Sequence, residues 1–297
     1  MSLKEAIFVL KQAAWEWMED QAPTLGAALA YYTVFSLAPL LIISISIAGL
    51  VFGREAAQGQ IFDQLRGLLG DESGRAMQTM VQNASAEPAT GLAATLIGFA
   101  TLLFGASGVF AQLQASLNTI WGVQPKPGRG VLGLLQDRVL SFGLILAVGF
   151  LLLVSLLLTA AIAFVGHLFG ERVPGMEALA QILNAIFSLA VITLLFAMIF
   201  KFLPDARIAW HDVWIGALIT AALFTVGKFA LGLYLGKSGV GSSYGAAGSL
   251  IVLLLWVYYS AQIVFFGAEF TQVYANRFGS RVAPSSNAVA IDRQASS

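Results

Sequence analysis

No cysteine occurs among the 297 residues. Disulfides and thiolate metal sites are therefore excluded, and the redox compartment is left open. Histidine is almost absent too, with only His167 and His211. Charge is scarce: 11% of residues are charged, against about 25% in soluble domains. Sixteen basic residues balance sixteen acidic ones, so no global basic field exists to hold nucleic acid. No HExxH, no zinc-ligand spacing, no DxD-type metal pair and no GxSxG elbow occurs. The beginning, "MSLKEAIFVLKQAAWEWMED", has too short an apolar run and too many acids for a secretory signal.

What is present is apolar. The chain is 58% hydrophobic with a mean hydropathy of +0.81, and apolar runs of membrane-spanning length recur, so lipid is the expected solvent. Residues 3–20 place Leu3, Ile7, Leu10, Ala14 and Met18 on one helical face, with Trp15 and Trp17 beside it. That pattern reads as an amphipathic helix at the membrane surface, within residues 1–23. Six spans follow in residues 24–275, at about 25–52, 91–113, 139–165, 178–203, 213–235 and 249–274. Residues 53–90 read as an outer amphipathic excursion, with Ile61, Phe62, Leu65, Leu68 and Leu69 on a stripe. Residues 276–297 are polar and read as a disordered cytoplasmic tail. The expected fold is all-α and polytopic, with six transmembrane helices and an interfacial helix.

Lys and Arg set the orientation. With both termini inside, the inner segments carry Lys4, Lys11, Lys126, Arg129, Arg138, Lys201, Arg207, Arg277, Arg281 and Arg293; the outer ones carry Arg54, Arg66, Arg75, Arg172 and Lys237. The bias favours cytoplasmic N- and C-termini. It also puts His167 and His211 on opposite faces, where they cannot share a site.

A charge within a span costs roughly 2.5–3.5 kcal/mol at the centre, so each is a functional candidate. Lys228 lies about 10 Å from the outer end of its span, and Glu269 about 30 Å down the next, at ~1.5 Å per residue. Depth argues against pairing them. Lys228 either lines a path or snorkels outward. Glu269 lies near the inner face with Lys201, Arg138 and Arg207, and is either a clamp on helix ends or one side of a gate. Tyr31, Tyr32, Thr33 and Ser36 precede Pro39, where a kink could open a cavity or simply pack.

One stretch imitates a phosphate loop. Gly236-Lys237-Ser238 has Gly232 before it with three residues between, whereas a phosphate-cradling loop needs four. The preceding segment is a membrane helix, not a buried strand. Residues 232–250 are therefore a glycine-rich outer turn, with Tyr244 at the rim of the last span, and no nucleotide or other cofactor is expected.

Four blocks carry a resemblance: "ALAYYTVFSLAPLL", "LNTIWGV", "KFLPDARIAWHDVWIGALITA" and "SSYGAAGSLIVLLLWVYYSAQIVFFGAEFTQVYA". In this order they resemble the YihY/BrkB family of bacterial inner-membrane proteins, over about residues 4–278. The family's usual positions match Tyr31, Tyr32, Pro39, Asn118, Trp121, Gly122, Leu203, Pro204, Trp210, Tyr244, Gly245, Gly248, Ser249, Tyr258, Tyr259, Gly267 and Glu269. The resemblance implies a six-helix protein of the bacterial inner membrane. Some members have been linked to serum resistance, others to export of lipid or lipopolysaccharide precursors. It brings no catalytic residue, and the older label "ribonuclease BN" finds no support in a neutral chain without a metal cluster. The expected function is transport or flipping of a phospholipid or lipid-linked precursor. The path or gate would be built from Tyr31, Tyr32, Pro39, Asn118, Arg138, Arg207, Lys228, Tyr244, Tyr258, Tyr259 and Glu269. Membrane lipids are the expected partners. The competing reading is a non-transporting scaffold that docks an envelope protein through residues 53–90.

Overall fold

The computed structural model describes residues 2–69, 77–79, 81–82, 107–127, 176–238 and 248–291, with positions 143 and 151. Helices dominate: α1 (Leu3–Glu19), α2 (Ala22–Phe52), α3 (Arg54–Leu69), α4 (residues 107–120), α5 (Met176–Phe202), α6 (Trp210–Ser238) and α7 (Gly248–Phe278). Four short strands accompany them: β1 (Val123–Pro125), β2 (Ala206–Arg207), β3 (Ala283–Pro284) and β4 (Ala288–Ala290).

Among the described residues, four stretches are long and apolar enough to cross a membrane: Ala22–Leu50, Ala178–Phe202, Trp210–Leu235 and Leu250–Phe278. Their mean hydropathies are 2.1, 2.5, 1.7 and 2.0. Their apolar side chains largely face outward: Leu218, Val226, Phe229 and Leu233 of α6 and Leu179, Ile182, Leu183 and Ile186 of α5 are exposed. Faces this apolar and this continuous are stable only against lipid. The expected span at 139–165 and most of that at 91–113 lie outside the described residues.

The chain divides into two compact units. The first comprises Met1–Asp20, Leu117–Thr225 and Phe266–Ser297; the second comprises Gln21–Ser116 and Val226–Phe265.

In the first unit α7 is enclosed. Every residue from Gly267 to Val273 is buried, two turns with no side open. Two antiparallel contacts with α6 explain how. Thr271 of α7 fills the volume that a Cβ at Gly216 would take, and Thr220 of α6 does the same at Gly267. The two threonine hydroxyls donate to the carbonyls one turn back on their own helices, Thr220 to Gly216 at 2.7 Å and Thr271 to Gly267 at 2.6 Å. Small residues let backbones approach where lipid removes the hydrophobic drive between helices. On another side of α7, Val9 and Ala13 of α1 pack on Phe270 and Val273.

Helix α1 starts from a capping box. The Ser2 N–H donates to the Glu5 carboxylate at 2.6 Å, and the Glu5 N–H donates to Ser2 Oγ at 3.4 Å. The Ser2 backbone bond, then its hydroxyl, holds the Glu5 carboxyl below its ordinary value. A depressed value means the cap is complete above the unfolded carboxylate range and is lost as pH falls through the folded one.

The expected tail is corrected by the strands. The last helix runs to Phe278, and residues 279–291 form a strap, not a disordered tail. Antiparallel pairing joins Ala283 and Pro284 to β2, and Ala288–Ala290 to β1. Polar composition suggested disorder because it supplies no core. Backbone pairing supplies the order instead, with the Ser285 N–H on the Asp205 carbonyl at 2.9 Å and the Ile291 N–H on the Gly122 carbonyl at 2.8 Å. The all-α expectation is thus amended by two small sheets.

In the second unit α2 runs unbroken through Pro39. It ends at Gly53, whose φ of +83° suits glycine, and α3 begins at the next residue. Ile61 and Phe62, the described side chains of the 53–90 stripe, face inward. Phe62, with Met77 and Val81, packs on Leu41, Ile45 and Leu253.

Replacing Gly216 or Gly267 with valine forces α6 from α7. Each variant is expected to lose about 1–3 kcal/mol or more, read as a lower apparent Tm in detergent. Nothing lies within 4 Å of a Cβ at Gly232, so Gly232→Ala should stay within about 1 kcal/mol of wild type.

Candidate functional site

The enclosed turns of α7 carry the most expensive side chain in a span. Glu269 is 0% exposed. Helical geometry turns it away from the α6 seam, since Gly267 and Thr271 point together and residue 269 lies about 200° from Gly267 at ~100° per residue. Thr220, Thr271 and Gln272 are also buried here. The polar content is concentrated inside, as expected of a protein whose outer solvent is hydrocarbon.

Below this lies a belt of polar loops. Asn118, 5% exposed at the end of α4, grips the turn after α5 with both ends of its amide. Its Nδ2 donates to Asp205 Oδ2 at 3.0 Å, and its Oδ1 accepts from the Asp205 N–H at 2.8 Å. Beside it Trp121 is buried, its ring edge-on to Phe200 at 6.3 Å. Its indole N–H has no hydrogen-bond partner among the described residues. Asp212, 2% exposed in the first turn of α6, accepts from both the Ser280 N–H at 2.9 Å and the Ser280 hydroxyl at 2.8 Å. His211 Nδ1 stands 3.5 Å from its other oxygen. Gly279 is required there, because a Cβ would strike the Asp212 carboxylate. Lys201 donates to the Ile208 carbonyl and lies 5.5 Å over the Trp210 ring. Phe202, Trp210 and Trp214 are partly exposed around it, an arrangement suited to headgroup depth. Arg207 is exposed on β2.

The described sequence-predicted residues are divided between the two units. Glu269, Asn118 and Arg207 belong to the first unit, where Asn118 is committed to Asp205. Tyr31, Tyr32, Pro39, Lys228, Tyr258 and Tyr259 belong to the second. There Tyr31 stands edge-on to Tyr32 at 5.8 Å and 4.9 Å from the Phe35 ring, all three well exposed. Tyr259 covers Gly227, and the Lys228 ammonium sits 5.4 Å from the Phe229 ring. Arg138 and Tyr244 lie outside the described residues.

Sequence reasoning missed Asp205, Asp212 and the paired threonines. The threonines had a signal, since Gly216-x-x-x-Thr220 and Gly267-x-x-x-Thr271 repeat one spacing in adjacent helices. Among the described residues, no three His, Asp or Glu side chains converge as metal ligands.

Comparison with known proteins places the chain. The family described as virulence factor BrkB matches residues 13–292. The chain is 30% identical over 258 residues to a UPF0761 membrane protein of Pseudomonas paraeruginosa, covering 86% of this chain and 60% of that one. It is 29% identical over 276 residues to one of Rhodospirillum centenum, covering 91% and 58%, and 28% identical over 287 residues to one of Teredinibacter turnerae, covering 95% and 64%. The chain thus spans about 60% of the length of the Pseudomonas relative. No solved structure matches it.

Replacing Asn118 with alanine removes both bonds to Asp205. The expected loss is about 1–3 kcal/mol for the buried groups left unsatisfied. Because Asp205 also holds the strap through Ser285, limited proteolysis within 279–291 should accelerate in the same variant.

Proposed function

The chain belongs to the virulence factor BrkB family and is a multi-pass membrane protein; from that premise we propose that it moves an amphiphile, a phospholipid or lipid-linked precursor, across the bacterial inner membrane. Both termini lie on the cytoplasmic side in this reading, six helices cross, and the exposed face of α1 (Ile7, Leu10, Trp15 and Met18) rests in the interface.

The observation that carries the reading is Glu269, a carboxylic side chain wholly enclosed within a membrane span. A group this costly is retained where it serves a path, a relay or a gate. Arg207 and Lys201 at the inner loops supply positive charge for a phosphate, with Arg138 as a further candidate. The scaffold alternative has less support, because Phe62, Met77 and Val81 already serve the protein's own core and are not free to dock a partner.

The test is reconstitution of the pure full-length protein in liposomes with fluorescent phospholipid, reading loss of inner-leaflet protection. Wild type should exchange lipid well above protein-free vesicles. Glu269→Gln should slow exchange about tenfold or more, the rate equivalent of one hydrogen bond to a charged group, roughly 1.5–3 kcal/mol. If both proteins match empty vesicles, autonomous lipid transport is wrong.

A further inference from the structure

The second unit holds a cavity whose chemistry changes with depth. It has a volume of about 200 Å³ and is lined by Ile42, Ile45, Val81, Arg54, Gln58 and Gln82. The candidate span of α2 ends at Leu50. Ile42 and Ile45 therefore lie within the apolar stretch, about 12 and 8 Å short of its end at ~1.5 Å per residue. Arg54 and Gln58 lie just beyond that end, on α3. The floor is hydrocarbon and the rim is a guanidinium with two amides.

The backbone makes this possible. Gly53 turns the chain from α2 into α3 with no intervening residue. Gly49 lets α3 sit close, since a Cβ there would lie 3.2 Å from Arg54 Cα. The first residue of α3 is thereby held over the last turns of α2. Arg54 makes no ion pair with the described residues, and the neighbouring Glu55 is exposed and does not line the cavity.

We propose that this cavity binds the anionic headgroup region of an amphiphile, its phosphate on Arg54, Gln58 and Gln82 and the first methylenes of its chain on Ile42, Ile45 and Val81. A planar guanidinium grips phosphate in a fork, and amides add neutral donors. The volume falls below the roughly 300–1,000 Å³ of clefts that enclose whole ligands, so it takes the head and shoulder of a lipid while the chain remains in the bilayer. Free phosphate shares the rim chemistry but cannot use the floor. The inference rests on the reading that the protein handles amphiphiles, yet it concerns equilibrium binding and not movement.

The experiment uses the full chain in phosphatidylcholine nanodiscs with spin-labelled phosphatidic acid or spin-labelled phosphatidylcholine, and reads the motionally restricted fraction by electron paramagnetic resonance. Wild type should prefer phosphatidic acid, and Arg54→Gln should reduce that preference about tenfold, the loss of one charge-assisted hydrogen bond. Arg54→Lys should keep part of it and controls for folding. The double variant Gln58→Leu/Gln82→Leu, with charge unchanged, should also weaken it. Inorganic phosphate should fail to displace the lipid. The proposal is overturned by a wild type without preference, or by Arg54→Gln matching wild type. It is equally overturned if only the charge variant has an effect, which is general attraction of anionic lipid, or if phosphate competes as well as lipid, which is a free-anion site. Lipid binding here without exchange in liposomes would sink the transport reading and leave this site standing.

Discussion

Close approach of α6 to α7 is the constraint on which the first unit depends. Two glycines and two threonines, each pair one turn apart, form a self-complementary antiparallel seam. Hydrocarbon gives apolar helices no reason to prefer each other over lipid, so contact must come from shape. A single Cβ on either glycine would remove it. With the seam closed, α7 is covered on all sides from Gly267 to Val273. Glu269 is kept out of lipid within that cover, and α1 docks Val9 and Ala13 against another side of α7.

Loops solve a different problem. At the end of a span, backbone groups leave the helix and must find partners. Here they find one another. The strap 279–291 pairs with the segments after α4 and α5, while Asn118 and Asp212 bind main-chain groups through their side chains. These polar side chains act as brackets between chain segments distant in sequence. The Asn118 and Asp205 pair spans 87 positions, so the loop belt is fixed by long-range contacts and not by local turn rules.

That difference explains what could be read in advance. Spans at 178–203 and 213–235 were legible because apolar length is a local property, and α5 and α6 match them within a few residues. Glu269 was legible as an outlier of charge in an apolar run. The strap was not legible: Ala283, Pro284 and Ala288 have no strand signature, and their order comes from edges supplied by residues far away in sequence. Asn118 stood out through the family resemblance and as part of a polar span end, but nothing local names Asp205 as its partner. The stripe of 53–90 was visible, but periodicity cannot tell which neighbour a stripe will meet. Phe62 met the protein's own core.

The two units present their polar groups in opposite ways. Glu269 is sealed, so no ligand reaches it unless helices part. The α6 seam lies on another side of α7, and both its threonine hydroxyls are satisfied within their own helices. Opening there forfeits contact between surfaces and breaks neither of those bonds, and contact energy is recovered once lipid fills the gap. The cation at Arg54 is open at rest and needs no such motion to meet a ligand. One unit thus exposes a cation and the other encloses an acidic side chain.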